Sequence, residues 1–251
     1  WAGTLAGAAA LLILAGGAWQ SLHAYYLDAR YARDDYRGVM QTIVAGARDG
    51  DALILNAPGQ TDIVGYYYRG NLPVYPLPRQ SPLNEDETAA ELARIASQHT
   101  RLWVVYYGDE QADPRRVIAS WLEARTFKAS DRWFGNVRLV LYALPGAQAG
   151  VMQPLDARFG PDIRLAGYRL DAAQAAAGDI APLTLLWQAT SAVSERYTVF
   201  VQLLSRSEAL WGQRDSEPGG GLRPTTTWQS GETIHDNYGL PILAGAPPGE
   251  Y

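Results

Sequence analysis

Two short runs, Ala52 to Asn56 and Arg101 to Tyr107, are apolar almost throughout. A run that short, with no alternation, reads as a strand buried on both faces. Such a strand needs a hydrophobic layer above it and another below, so helices must cover both sides of its sheet. The neighbouring sequence supplies them. Tyr36, Met40, Ile43 and Val44 fall on one helical face, and Gly46 and Gly50 close the segment. Thr61 to Tyr68 reads as a second helix, and Leu72 to Leu77, with its prolines, as a short edge strand. Asn84 and Glu87 resemble a capping box ahead of a helix with Leu92 and Ile95 facing inward. Asp113 followed by Pro114 opens another helix, which carries Val117, Ile118, Trp121 and Leu122. Phe127 to Trp133 and Asn136 to Leu144 read as a closing hairpin that turns at Gly135. This alternation predicts a small, mostly parallel, Rossmann-like α/β domain over residues 30–145.

The chain on either side has a different character. Residues 146–160 are rich in Gly, Ala and Pro and read as a linker. Beyond them helical periodicity largely stops. Ile163 to Leu170, Leu183 to Ala189 and Tyr197 to Leu204 are strand runs, with clear alternation at Leu183, Leu185 and Trp187. Shorter strands are expected at Leu210–Trp211, Thr233–Ile234 and Tyr238–Ile242. Short strands between Gly/Pro turns predict a β-sandwich over residues 161–251. It is expected to be C-terminally truncated, because Pro247 to Tyr251 reads as the approach to a new strand. At the other end, Trp1 to Tyr26 contains no Asp, Glu, Lys or Arg. Its centre, Leu5 to Trp19, is apolar all round, and about 20 such residues cross a bilayer. Trp1, Trp19, Tyr25 and Tyr26 suit the interfacial belts. A signal peptide would need a charged n-region and a cleavage site, and a soluble core helix is the other alternative. The reading carried forward is a transmembrane helix over residues 1–26, giving an α+β multidomain chain that is a piece of a longer protein.

Composition narrows the chemistry. A formal net charge of −5 argues against nucleic acid as a partner, which needs a basic face. Cysteine is absent and Lys128 is the single lysine, so thiolate metal sites, cysteine nucleophiles and lysine Schiff bases are excluded or nearly so. His23, His99 and His235 have no metal-ligand spacing, and no metal or cofactor is expected in this fragment. In a parallel sheet, ligands sit beyond the carboxyl ends of the strands. Those ends carry Asn56, Gln60 and Asp62 after the first strand, and Asp109 and Glu110 after the other. The loop from Asn56 to Asp62 has one glycine and no P-loop lysine, which speaks against a nucleotide. Asp62, Asp109 and Glu110 either form an acidic pocket for a sugar or cation, or cap helices and face solvent. In the last third, Trp187, Trp211 and Trp228 are either sugar-stacking platforms or core; Trp211 and Trp228, in turn-rich sequence, are the better platforms. Asp215 and Asp236 read as turn caps, with calcium ligation the alternative.

At these positions the sequence resembles a known family. The strings Arg214 to Pro218, Arg223 to Thr225, Trp228 to Glu232, Asp236 to Pro241 and Pro247 to Tyr251 carry the likeness, preceded by Leu185 to Gln188 and Tyr197 to Leu203. They resemble a β-sandwich module at the C-termini of bacterial membrane glycosyltransferases. Tyr31 to Arg37 and Asp51 to Gln60 look like the soluble α/β domain that follows the last span in such proteins. The family is the multi-span group related to protein mannosyltransferases, which uses polyprenyl-phosphate sugars. The resemblance implies an extracytoplasmic accessory region at the cell membrane, anchored in lipid through residues 1–26 and positioning an acceptor glycan. The family's catalytic acid lies in an early external loop between upstream spans, so no catalytic residue is assigned here. The rival reading is a membrane-anchored glycan-binding or structural surface module with no transferase activity.

Overall fold

The computed structural model describes residues 34–146, 150–171 and 174–251, together with Gly7, Leu14 and the helical residues 16–22. The transmembrane helix expected over residues 1–26 lies largely outside these. No helix among the described residues is long and apolar enough to cross a membrane.

The chain is a mixed α+β fold built on one nine-stranded sheet and a two-stranded second sheet. In chain order the elements are α1 (Tyr36–Gly46), β1 (Asp51–Asn56), α2 (Thr61–Tyr67), β2 (Val74–Leu77), α3 (Glu85–Gln98) and β3 (Arg101–Tyr106). A one-turn helix α4 (Asp109–Ala112), α5 (Val117–Arg125), β4 (Phe127–Phe134) and β5 (Val137–Ala143) complete the first half. The second half contains β6 (Gln153–Phe159), β7 (Ile163–Leu170), β8 (Ile180–Ala189), β9 (Val199–Leu204), β10 (Leu210–Ser216) and β11 (Thr233–Pro241). The large sheet runs β2-β1-β3-β5-β4-β11-β8-β7-β6, and β9 pairs with β10 alone.

Both predicted central strands are buried on both faces. Ala52, Ile54, Leu102 and Val104 pack under α3 and α5 on one side, through Leu92, Ile95, Ile118 and Leu122. Leu53, Leu55, Trp103 and Val105 pack under α1 and α2 on the other, through Val39, Met40, Ile43 and Val64. Val44, expected on the inner face of α1, is exposed. The helix start signals act as expected, with one displacement. Asn84 Oδ1 accepts the Glu87 N–H at 3.2 Å. Asp113 accepts the N–H groups of Val117 and Ile118 at 2.7 and 2.9 Å, but the helix begins at Val117. Arg116 adopts a left-handed conformation between them, so the carboxylate reaches over an extra turn to cap α5.

The sheet departs from the mostly parallel expectation. Among the described residues only β2, β1 and β3 form a parallel run. The β4–β5 hairpin joins antiparallel to β3 and is shared with the second half through one parallel pairing, Tyr238 with Lys128. The second half is accordingly lopsided for a sandwich. Four of its strands, β11, β8, β7 and β6, extend the large sheet, and only the β9–β10 hairpin makes a facing layer. Trp187, Leu185, Ile234 and Trp228 fill the space between, with Val199, Val201 and Leu203 packing down from β9. Residues 153–159, inside the expected linker, form β6. They pair with β7 around the positive-φ Gly160, and their exposed side chains hide the strand from hydrophobic pattern reading.

Candidate functional site

The carboxyl ends of β1, β2 and β3 open onto a cleft of about 710 Å³. Its walls are the turn from Ala57 to Gln60, the Pro78–Ser81 loop after β2, Tyr107–Gly108 after β3, and Asp34–Tyr36 at the start of α1. A smaller hollow of about 370 Å³ shares Ser81, Gln111 and Ala112 with it and extends it towards Pro114 and Arg115. This is where an open α/β sheet ordinarily receives a ligand, because loops on either side of neighbouring strands diverge there.

Several polar groups of the cleft have defined partners. Gln60 is buried: its Oε1 accepts the Tyr36 hydroxyl at 3.2 Å, and its Nε2 donates to the Tyr107 carbonyl at 3.2 Å. Those two bonds fix the loop between β1 and α2 against the loop after β3. The Tyr36 and Tyr107 rings meet edge to face, with centroids 5.8 Å apart. Tyr107, 38% exposed, presents the rest of its ring to the cleft. The hydrogen bond of its hydroxyl to Asp34 holds the phenol above its ordinary pKa. Asp34 also accepts the Asn136 side-chain N–H at 3.0 Å. Burial pushes the Tyr36 phenol up as well. Arg79, the cation in the cleft wall, is turned away into a pair with Glu91, whose Oε1 lies 3.1 Å from its Nε. Hydrogen bonds from Arg94 and then Arg79 hold the Glu91 carboxyl down to about 2.

Asn56 lies beneath the cleft, buried, and its Oδ1 has no hydrogen-bond partner among the described residues. It neighbours Asp113, whose carboxyl is raised chiefly by burial, against opposing hydrogen bonds from Ile118, Val117 and Asn56. The expected acidic trio does not line the cleft. Asp62 is exposed in the first turn of α2, while Asp109 and Glu110 begin the one-turn α4. They take the helix-start and solvent roles. Asp34 and Tyr107, which do shape the site, were not singled out by sequence. Asp34 precedes a helix that reads as ordinary, and Tyr107 reads as the end of a strand. No group of three His, Cys, Asp or Glu positioned to hold a metal occurs among the described residues.

The tryptophan candidates divide. Trp228 is 4% exposed and donates its Nε1–H to the Arg223 carbonyl at 3.0 Å, so it is core and not a sugar platform. Trp187 is likewise buried, with its Nε1–H on Asp236 at 3.1 Å. Trp211 is half-buried under the chain near Leu243 and Gly245. Asp236 is buried, accepting also from the Tyr238 hydroxyl at 2.6 Å and the Gly219 N–H at 2.8 Å. Three donors occupy it, which rules out calcium ligation there. Burial raises its carboxyl above the ordinary range. Exposed Asp215 accepts from Gln213 at 2.6 Å. A second, apolar groove of about 700 Å³ lies between β9 and the face of β7 and β8, lined by Phe159, Leu165, Trp187, Tyr197 and Val199 among others. His99 sits at the opposite edge of the sheet from the cleft, with its Nε2 3.0 Å from the Tyr75 hydroxyl. No family model, no curated protein and no solved structure matches this chain.

Proposed function

We propose that this chain is the non-catalytic, extracytoplasmic part of a membrane glycosyltransferase that uses a polyprenyl-phosphate sugar, and that its cleft holds the acceptor glycan. The observation that carries this reading is the chemistry of the cleft. Its lining offers the aromatic face of Tyr107, the Gln111 amide and the Ser81 hydroxyl, while Tyr36 and Gln80 are bonded to Gln60 and Glu87. Its cation, Arg79, is paired with Glu91, and its carboxylate, Asp34, accepts hydrogen bonds from Asn136 and Tyr107. A site built this way favours a neutral, polyhydroxylated ligand: ring C–H faces pack on the phenol, and amides and hydroxyls exchange hydrogen bonds with sugar hydroxyls. A phosphate or nucleotide would find no uncommitted cation in the cleft wall among the described residues. The resemblance of Arg214 to Tyr251 to the glycosyltransferase module supports reading such a site as part of a glycan-handling protein. In this reading the chain orients the acceptor, and the transfer step belongs to upstream membrane segments.

Titration of manno-, gluco- and galacto-oligosaccharides against the chain, followed by amide chemical shifts, tests the reading. Binding is expected in the millimolar to high micromolar range, because a shallow cleft desolvates little area. Perturbations should centre on Tyr107, Gln111 and Ser81, and Tyr107→Ala should abolish them. Absence of perturbation by every oligosaccharide, or perturbations confined to the second half, would overturn the assignment of the cleft.

A further inference from the structure

The carboxyl edge of the sheet is also where the polypeptide from the uncharged segment Trp1–Tyr26 arrives. Asp34 is the first residue of the described fold proper, and the eight steps from Tyr26 to Asp34 span at most about 29 Å of extended chain. The tip of the β4–β5 hairpin is tied to this point. Asn136 donates to Asp34 at 3.0 Å, and the Asp35 N–H donates to the Phe134 carbonyl at 3.3 Å. On that tip Trp133 is 66% exposed, a large amphipathic ring held out from the fold with no core to bury it. Arg138 lies 5.9 Å from its centroid, and on the other face of the tip Arg132 lies over the Phe134 ring at 5.8 Å. Tyr107 and Ile63, at the mouth of the cleft, are further exposed apolar groups on the same edge. An exposed Trp with Tyr and Arg neighbours, tethered close to an apolar segment, has the composition that settles at a membrane–water interface.

We infer that the carboxyl edge of the sheet lies against the bilayer surface, with Trp133 in the headgroup layer and the cleft opening towards the membrane. The partner is a zwitterionic phospholipid headgroup layer. Exposed Asp62 and Glu110 share the edge with Arg37 and Arg132, so contact rests on aromatic partitioning and not on net positive charge. The inference rests on residues 1–26 anchoring the chain in lipid. It adds an orientation: the face that meets a glycan carried on a membrane lipid is the face with the cleft, while the amino ends of the strands point away.

The absence of cysteine makes a site-specific test direct. The full chain carrying a single Trp133→Cys substitution is labelled with an environment-sensitive fluorophore and reconstituted into phosphatidylcholine vesicles containing headgroup-nitroxide lipid. A parallel sample carries the label at Asp49→Cys, in the exposed turn before β1, about 20 Å away along the strand. Flotation reports membrane incorporation independently. The expected result is several-fold stronger quenching and a blue-shifted emission at 133 relative to 49. Equal, weak quenching at both positions in chains that float would overturn the orientation while leaving the anchor intact. Chains that fail to float would overturn the anchor, and the orientation with it. Arg132→Cys, one position along the same tip, gives a second probe should replacement of Trp133 disturb folding.

Discussion

Trp228 packs against Trp187, ring centroids 6.5 Å apart, and gives its one N–H to the Arg223 carbonyl. Trp228→Ala removes that packing and strands the carbonyl, and should cost about 3–5 kcal/mol. Trp228→Phe keeps most of the ring volume but still strands the carbonyl, at about 1–3 kcal/mol. Tyr107→Ala, by contrast, should lower stability by no more than about 1 kcal/mol while removing glycan binding, since the ring is partly exposed and loses one hydrogen bond. Urea denaturation of the three variants checks the order, and a Trp228→Ala midpoint close to wild type would refute the core assignment. The contrast shows what a sequence can say of single residues. Trp228 stands among threonines and glycines, so its surroundings read as surface, but at the end of the Thr225–Thr227 turn it enters the core beside Trp187. Trp187 was legible as a core position because it sits on an alternating strand, where one face must be hidden.

At the scale of elements, α3 holds one wall of the cleft. Glu91 on its outer face takes hydrogen bonds from Arg79, in the loop after β2, and from Arg94 one turn on. Its folded pKa, about 2, lies below the unfolded value, so the stabilisation it provides is complete above about pH 4.5 and is lost as pH falls through 2. Carboxyl carbon shifts should place the Glu91 midpoint near 2, and amide exchange at Arg79–Ser81 should quicken as it protonates. Glu91→Gln should show that faster exchange already at neutral pH; unchanged exchange would mean that the pair does not position the loop. The strands β1 and β3 were legible because burial on both faces leaves an uninterrupted apolar run. β6 was not, because its side chains face solvent and its pairing with β7 is made by backbone. The outer strand β9 carries its own consequence. Among the described residues it pairs only with β10, has no charged residue from Val199 to Leu204, and leaves Phe200 70% exposed. An uncharged edge of that kind recruits other chains, and a lysine blunts it. Phe200→Lys should therefore reduce concentration-dependent association in light scattering without lowering the unfolding midpoint.

Across the whole molecule the two halves have separate cores but one sheet, and a small set of groups holds the seam. The second-half core is centred on Trp187, Trp228 and Tyr238, distinct from the two layers that sandwich β1 and β3. Between them β4 and β11 share only the Tyr238–Lys128 pairing. The composition made the single lysine conspicuous, but nothing in its spacing showed that it is 3% exposed at this junction. Its ammonium lies 2.5 Å from Glu123 on α5 and donates at 3.0 Å to the carbonyl of Gly220, which belongs to the second half. Glu123 also accepts the Tyr142 hydroxyl at 2.9 Å. Gly220 suits this turn: its φ is +61°, and an added Cβ would run into the Glu123 carboxylate and the Lys128 ammonium and displace that pair. The adjacent Gly219 N–H is held by buried Asp236, so the glycine turn is clamped from both sides. Removing one partner of such a pair leaves a buried charge uncompensated, at about 3–5 kcal/mol. Lys128→Ala should therefore weaken the seam more than either core. The expected calorimetric result is one unfolding transition for the native chain and two for Lys128→Ala, the second half melting first because its facing layer has two strands. Replacing both charges, Lys128→Met with Glu123→Leu, should restore a single transition, since no unpaired charge then remains. If Lys128→Ala still melts in one step with less than about 1 kcal/mol lost, the seam is held by its other contacts, the β4–β11 pairing and the bonds of Arg48 to Asp179 and Gly178, and not by the lysine.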